Sequence, residues 1–205
     1  MLDIKEQIRE YIYSGAGTIG AILSEREITQ QLKLKRGYVR EILLTLEGEG
    51  IIRSIPKKGY CYVDYNGTDI KTLNAIRYAI EREALRKAIG GAMTRDDKVR
   101  LTLIHEDLER FAAEQNTKSF SECDMEFHTA IIEASHDNML IKMFNFLKAT
   151  VFRLHAVCSR RFDDQFENTQ LAHRAIFAGI KNEDMESAEK SLEKHIGTIK
   201  IKNNN

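Results

Sequence analysis

The 205-residue chain carries one proline, three cysteines and no net charge, and each scarcity removes a class of protein. Basic and acidic residues balance at 31 each, so bulk charge does not announce a nucleic-acid binder and any basic patch must be local. Cys61, Cys123 and Cys158 are an odd set with no close pair. That argues against a disulfide framework and for reduced thiols in a cytoplasmic protein. No apolar run approaches the ~20 residues that span a bilayer. The opening Met1-Leu2-Asp3-Ile4-Lys5 also lacks the basic-then-apolar order of an export signal. The expectation is a cytoplasmic protein with no membrane partner. With Pro56 as the single proline, long stretches are open to helix. Hydrophobic residues at 42% and charged residues at 30% are enough to bury a real core.

What is present begins with Ile4, Ile8 and Ile12, spaced by four, which predicts an amphipathic helix ending near Ser14-Gly15. Ser24-x-x-Glu27 has the form of a capping box, opening a second helix with Ile28 and Leu32 on its apolar face. Lys33 to Lys35 supply a turn. A third helix follows, with Val39, Ile42, Leu43 and Leu46 on one stripe. Then Ile51–Ile55 and Tyr60–Val63 are β-rich runs joined by Pro56-Lys57-Lys58-Gly59, a hairpin signal. Three helices and a basic-tipped hairpin describe a winged helix-turn-helix, whose third helix enters the major groove. Between Lys33 and Lys58 seven basic residues face three acidic ones, a local net charge of +4. Arg36 and Arg40 flank the apolar stripe of the third helix, where their forks suit phosphate oxygens or guanine edges.

The runs Leu23-Ser24-Glu25-Arg26-Glu27-Ile28, Lys35-Arg36-Gly37-Tyr38-Val39-Arg40-Glu41-Ile42-Leu43 and Leu46-Glu47-Gly48-Glu49-Gly50-Ile51-Ile52 resemble the GntR-type winged helix over about residues 4 to 63. By position, the resemblance implies DNA contacts from Arg26, Arg36 and Arg40, with Lys58 and Gly59 at the wing tip. Lys35 stands where that family has serine or threonine, and Tyr38 where it has proline. Both are counted with the DNA-facing residues, and both alter the expected half-site preference.

Asn66-Gly67-Thr68 reads as a turn and helix start, so the expected domains are 1–66 and 67–205. Beyond it six helices are predicted, near 69–90, 95–115, 120–135, 138–161, 163–181 and 184–201, forming an all-α antiparallel bundle. Thr94-x-x-Asp97 and Ser119-x-x-Glu122 are the expected caps of the second and third, and Gly90-Gly91 the stop of the first. Asp124 and His128 are four apart, on one helix face. They border the stripe of Phe127, Ile131 and Ala134. His173 lies amid Ile176, Phe177 and Ile180, and His195 amid Ala188, Leu192 and Ile199. Four ionisable groups thus point into one apolar interior, which is costly unless they are paired or bound to metal. Three imidazoles and one carboxylate suit a divalent ion, Zn, Ni, Mn or Fe, with positions open to water or ligand. His105, His136 and His155 lack such support and read as surface or flanking residues.

Asp124-x-x-Phe127-His128, His173-Arg174-Ala175-Ile176, and Asp184-x-x-x-Ala188 followed by His195-Ile196 resemble the FCD ligand-binding domain of FadR-type GntR regulators, in its shorter, VanR-like branch. The resemblance implies that these four residues are metal ligands, although Ala172 replaces a common glutamate. Arg77, set within the stripe of Leu73, Ile76, Ile80 and Ala84, and Arg153 are candidate anchors for a small carboxylate effector. For Arg77 the alternative is an internal ion pair with a bundle carboxylate. The expected protein is a homodimeric transcriptional regulator reading double-stranded operator DNA. Two rival readings stand beside it. One is a bundle that only dimerises around a structural metal. The other is a metal enzyme, disfavoured by the absence of HExxH and by a single ExxH at Glu133–His136.

Overall fold

Isoleucines at every fourth position share one face of a helix, and on that face the first core begins. The computed structural model describes Ile4, Ile8 and residues 11–12, 22–50, 52–63, 67–158 and 165–197. Ile4, Ile8 and Ile12 are helical, and Ile8 and Ile12 are fully buried. The expected end of that helix at Ser14-Gly15 lies outside the described residues.

Helix α1 (Glu25–Leu32) starts on Ser24, whose Oγ accepts the N–H of Glu27 at 3.4 Å. It stops where Lys33 turns left-handed, at φ 53°. Helix α2 (Arg36–Gly48) buries Val39, Leu43 and Leu46 in one cluster with Ile8, Ile12, Ile28 and Ile52. Ile42, expected on the same stripe, is partly buried against that cluster.

Strands β1 (Ile22–Leu23), β2 (Ile52–Ile55) and β3 (Gly59–Tyr62) form an antiparallel sheet in the order β1-β3-β2. The β2–β3 hairpin pairs Ile55 with Gly59 and Ser54 with Tyr60, with Lys57 left-handed in its turn. Gly59 has φ 107°, and a Cβ there would stand 2.6 Å from the Leu23 carbonyl oxygen. Only glycine fits so close to β1 in that conformation.

The second set of elements is helical: α3 (Gly67–Lys87), α4 (Arg95–Ala113), α5 (Thr117–Glu133), α6 (Asn138–Cys158), α7 (Gln165–Lys181) and α8 (Met185–Gly197). A π-helical turn, Ala88–Ala92, ends α3, with Gly91 at φ 113°. The cap of α5 corrects the expectation at Ser119. Asn116 is the N-cap, its side chain accepting the Ser119 N–H at 3.2 Å. Left-handed Gln115 turns the chain one residue earlier, so Ser119 already lies in the first turn. The core joins Leu85 of α3, Ile104 of α4, Phe127 of α5, Ile176 of α7 and Leu192 of α8. A Cβ on Gly179 would meet the Ala188 Cβ at 2.7 Å, so α7 and α8 touch backbone to backbone. By contacts the chain divides into two compact units, Met1–Asn66 with Ala149–Val157, and Gly67–Lys148 with Cys158–Asn205. Among the described residues no helix is long and apolar enough to cross a membrane.

Thr94 and Asp97 form the predicted reciprocal cap of α4, each accepting the other's backbone N–H. Burial pushes the Asp97 carboxyl up, but the Thr94 hydroxyl and N–H, with His136, outweigh it and hold the group below its ordinary value. A depressed carboxylate stabilises the fold above its unfolded pKa and loses that contribution as pH falls through its folded value. Asp97→Ala is therefore expected to cost about 1 kcal/mol near neutral pH, with the difference from wild type closing in acid. Urea melts at both pH values check this; a pH-independent difference would mean the cap charge contributes nothing.

Candidate functional site

Three helices deliver the site. Asp124 and His128 sit one turn apart on α5, His173 lies on α7 and His195 on α8. All four are at most 3% exposed. One ligand atom from each lies within 4.8 Å of all the others. Asp124 Oδ1 is 2.7 Å from His173 Nε2, 3.7 Å from His195 Nε2 and 3.9 Å from His128 Nε2. The Nε2 atoms of His128 and His195 are 2.9 Å apart. Donors sharing one ion at about 2.0–2.2 Å stand roughly 3–3.4 Å from each other, so these spacings bracket what a cation needs. The His173 Nε2 contact with Asp124, though short, lacks hydrogen-bond geometry. The four ligand atoms thus share one small buried space.

The electrostatics suit the same chemistry. His195 is held well below its ordinary pKa, by burial first and then by His173 and His128. Burial also pushes His128 down, against the pull of Glu81. Neutral imidazoles are the form that ligates metal. Cys123, next to Asp124, is no competitor: its Sγ donates to the Ile104 carbonyl at 3.4 Å, and burial pushes the thiol up to about 12.

Behind the cluster stands Glu81, which the Arg-x-x-x-Glu spacing links to Arg77 but not to the ligand set. Glu81 Oε2 accepts from His128 Nδ1 at 2.6 Å, while its Oε1 accepts from Arg77 Nε at 2.5 Å. Arg77 and Glu81 are both 0% exposed. Burial pushes the Glu81 carboxyl up, but Arg77, and then His128, bring it down to about 2. The expected stripe of α3 is also corrected. Ile70, Arg77, Glu81, Ala84 and Leu85 are buried, whereas Ile76 is 46% exposed, because the ion pair occupies the inward face. The available signal was a buried cation with a carboxylate one turn away. Arg77 therefore stands in the internal pair weighed as its alternative. The side chain of Arg153, on α6, lies outside the described residues, as does that of His155. His136 is exposed against Asp97, and His105 is half-buried, stacked on Phe177 at 4.2 Å between ring centroids.

On the winged helix, Arg26, Lys35, Arg36, Tyr38, Arg40 and Lys58 are exposed. Arg36 Nε donates to Glu25 Oε1 at 2.7 Å, the bond that raises its pKa. Lys35 is the N-cap of α2 and makes no side-chain bond to the helix amides. Gly59 is explained by its backbone, as above.

A winged helix followed in the chain by a helical domain with an inward Asp-His₃ cluster points to a class of transcriptional regulators. The FCD domain model matches residues 72–198, and that of bacterial regulatory proteins of the gntR family matches residues 1–61. The chain belongs to the GntR family of regulators that carry an FCD domain. It is 29% identical to the Uxu operon transcriptional regulator of Escherichia coli K12 over 196 residues, covering 86% of this chain and 75% of that protein. It is 24% identical to the gluconate operon transcriptional repressor of Bacillus licheniformis over 201 residues, 96% of this chain and 82% of that one. Its fold matches that of E. coli McbR/YncC with a TM-score of 0.80 at 19% identity, covering 96% and 95% of the two chains. Family and relatives make the chain a DNA-binding transcriptional regulator and not an enzyme.

Proposed function

We propose that this regulator is a homodimeric repressor, with a DNA-reading head at 1–66 and a sensing bundle at 67–205. Its operator affinity is set by a small carboxylate bound at a divalent metal. The observation carrying this reading is the convergence of Asp124, His128, His173 and His195 in a buried space. A three-nitrogen, one-oxygen donor set suits Zn, Ni, Mn or Fe, and the bound ion supplies Lewis-acid charge with positions open to a carboxylate oxygen. Gluconate, after whose operon one relative is named, is itself a carboxylate. On the head, Arg26, Lys35, Arg36, Arg40 and Lys58 would contact phosphate or base edges, Arg36 exchanging Glu25 for DNA. Met139, Met143 and Phe146 are 63%, 47% and 72% exposed at helical spacing on α6, an apolar stripe suited to a second copy of the chain.

A second reading, in which the bundle dimerises around a purely structural metal, draws on the near-complete burial of the four ligands. One experiment separates them: a mobility shift on operator DNA across a panel of organic acids, with metal content measured in parallel. The sensing reading expects one acid to change affinity by about 5- to 150-fold. It also expects His173→Ala to lose both metal and response, and Arg40→Ala to weaken binding with or without acid. A metal-loaded dimer that answers to no acid supports the structural reading. Protein that takes up no metal at all removes both.

A further inference from the structure

We infer that Glu81 is a positioning residue for the metal centre: it fixes the ring hydrogen of His128 on Nδ1 and so keeps Nε2 open as a ligand atom. The inference rests on the metal reading above and extends it to α3, a helix that supplies no ligand. His128 Nδ1 lies 2.6 Å from Glu81 Oε2, and both groups are fully buried. An ionised carboxylate only accepts hydrogen bonds, so at this contact the imidazole must donate. A neutral ring carries one hydrogen. Placed on Nδ1, it leaves a lone pair on Nε2, the atom facing His195 at 2.9 Å and Asp124 at 3.9 Å.

Without Glu81 the ring has the opposite preference. The surroundings of Nε2 include an acceptor carboxylate, so a free ring would carry its hydrogen there and block ligation. Arg77 enters at this step. Its guanidinium donates to Glu81 Oε1 at 2.5 Å and is always cationic, which keeps the carboxylate an acceptor although no water reaches it. Arg77 thereby acts on the metal through two hydrogen bonds, Arg77 to Glu81 and His128 to Glu81. A carboxylate behind a ligating histidine orients the ring and fixes its tautomer. Here the tie also joins the ligand-bearing α5 to α3.

Glu81→Gln tests the idea with little change in shape. Arg77 will hold the new amide oxygen and turn its NH₂ toward His128, so Nδ1 becomes an acceptor and the hydrogen moves to Nε2. In protein labelled with nitrogen-15 histidine and stripped of metal, the ring shifts of His128 report which nitrogen is protonated. Wild type is expected to carry the hydrogen on Nδ1 and the variant on Nε2, with zinc affinity lowered about 10- to 100-fold. Should Glu81→Gln fail to fold, Arg77→Met combined with Glu81→Leu removes both charges together, a change that buried pairs often tolerate. It is expected to show the same move and the same loss. Wild-type His128 protonated on Nε2, or a variant with unchanged tautomer and zinc affinity, overturns the inference. Absence of zinc uptake by wild type, with the hydrogen on Nδ1, overturns instead the metal reading on which it rests.

Discussion

Stripping metal from the loaded protein with a chelator is expected to lower its melting temperature by roughly 10 °C. A ligand that binds only the folded state stabilises it by RT ln(1 + [L]/Kd), about 4 kcal/mol at a thousandfold excess over Kd. In a chain of this size 1 kcal/mol corresponds to roughly 2–4 °C. Binding is confined to the folded state by geometry. His128 and His173 are separated by two helices' worth of sequence, and His195 lies a further helix on, so only the folded bundle brings the four groups within 4.8 Å. Asp124→Asn is the sharper arm. It keeps the shape but removes the single anionic donor of the set, and its melt is expected to be nearly indifferent to chelator. Differential scanning calorimetry with and without metal gives both curves. A wild-type melt that ignores chelator and added zinc alike would sink the folded-state metal site.

Most of this architecture is legible in the sequence, for a physical reason. Amphipathic helices announce themselves through a 3.6-residue period, and α4 to α8 fall within a few residues of their expected spans. The four clustered residues were legible because His173 and His195 lie within apolar stripes and Asp124 and His128 border one, where an ionisable group has no inexpensive explanation. What stayed hidden shares a different property. Strand β1 is two residues long, too short to alternate, and exists only through its pairing of Ile22 with Cys61 and Leu23 with Tyr60. Asn116 and Ser119 are both good cap residues, and the left-handed Gln115 that chooses between them is a tertiary outcome. The pairing of Arg77 with Glu81 was legible as an Arg-x-x-x-Glu spacing, but the contact of Glu81 with His128 was not. An Arg-x-x-x-Glu pair is also the ordinary dress of an exposed helix face. Only the burial of α3 turns it into part of the site.

That burial makes Arg77→Ala the second large effect expected, a loss of about 3–5 kcal/mol. Arg77 and Glu81 are both 0% exposed. Truncating the arginine strands a carboxylate that burial alone would drive toward protonation. The native pair itself need not be strongly stabilising, since desolvation offsets most of its attraction. Breaking it is what costs. The contrast lies in the double variant Arg77→Met/Glu81→Leu, expected to recover most of the lost stability while leaving metal binding impaired. Guanidinium melts of wild type, single and double variants close this cycle. An effector anchor predicts another pattern: Arg77→Ala would melt like wild type, hold its metal and lose only the response to carboxylate. A fall below about 1 kcal/mol, together with that selective loss, would move Arg77 from behind the metal to the ligand itself. The short bond to Glu81 argues for the first pattern, because it commits the guanidinium Nε to an internal carboxylate.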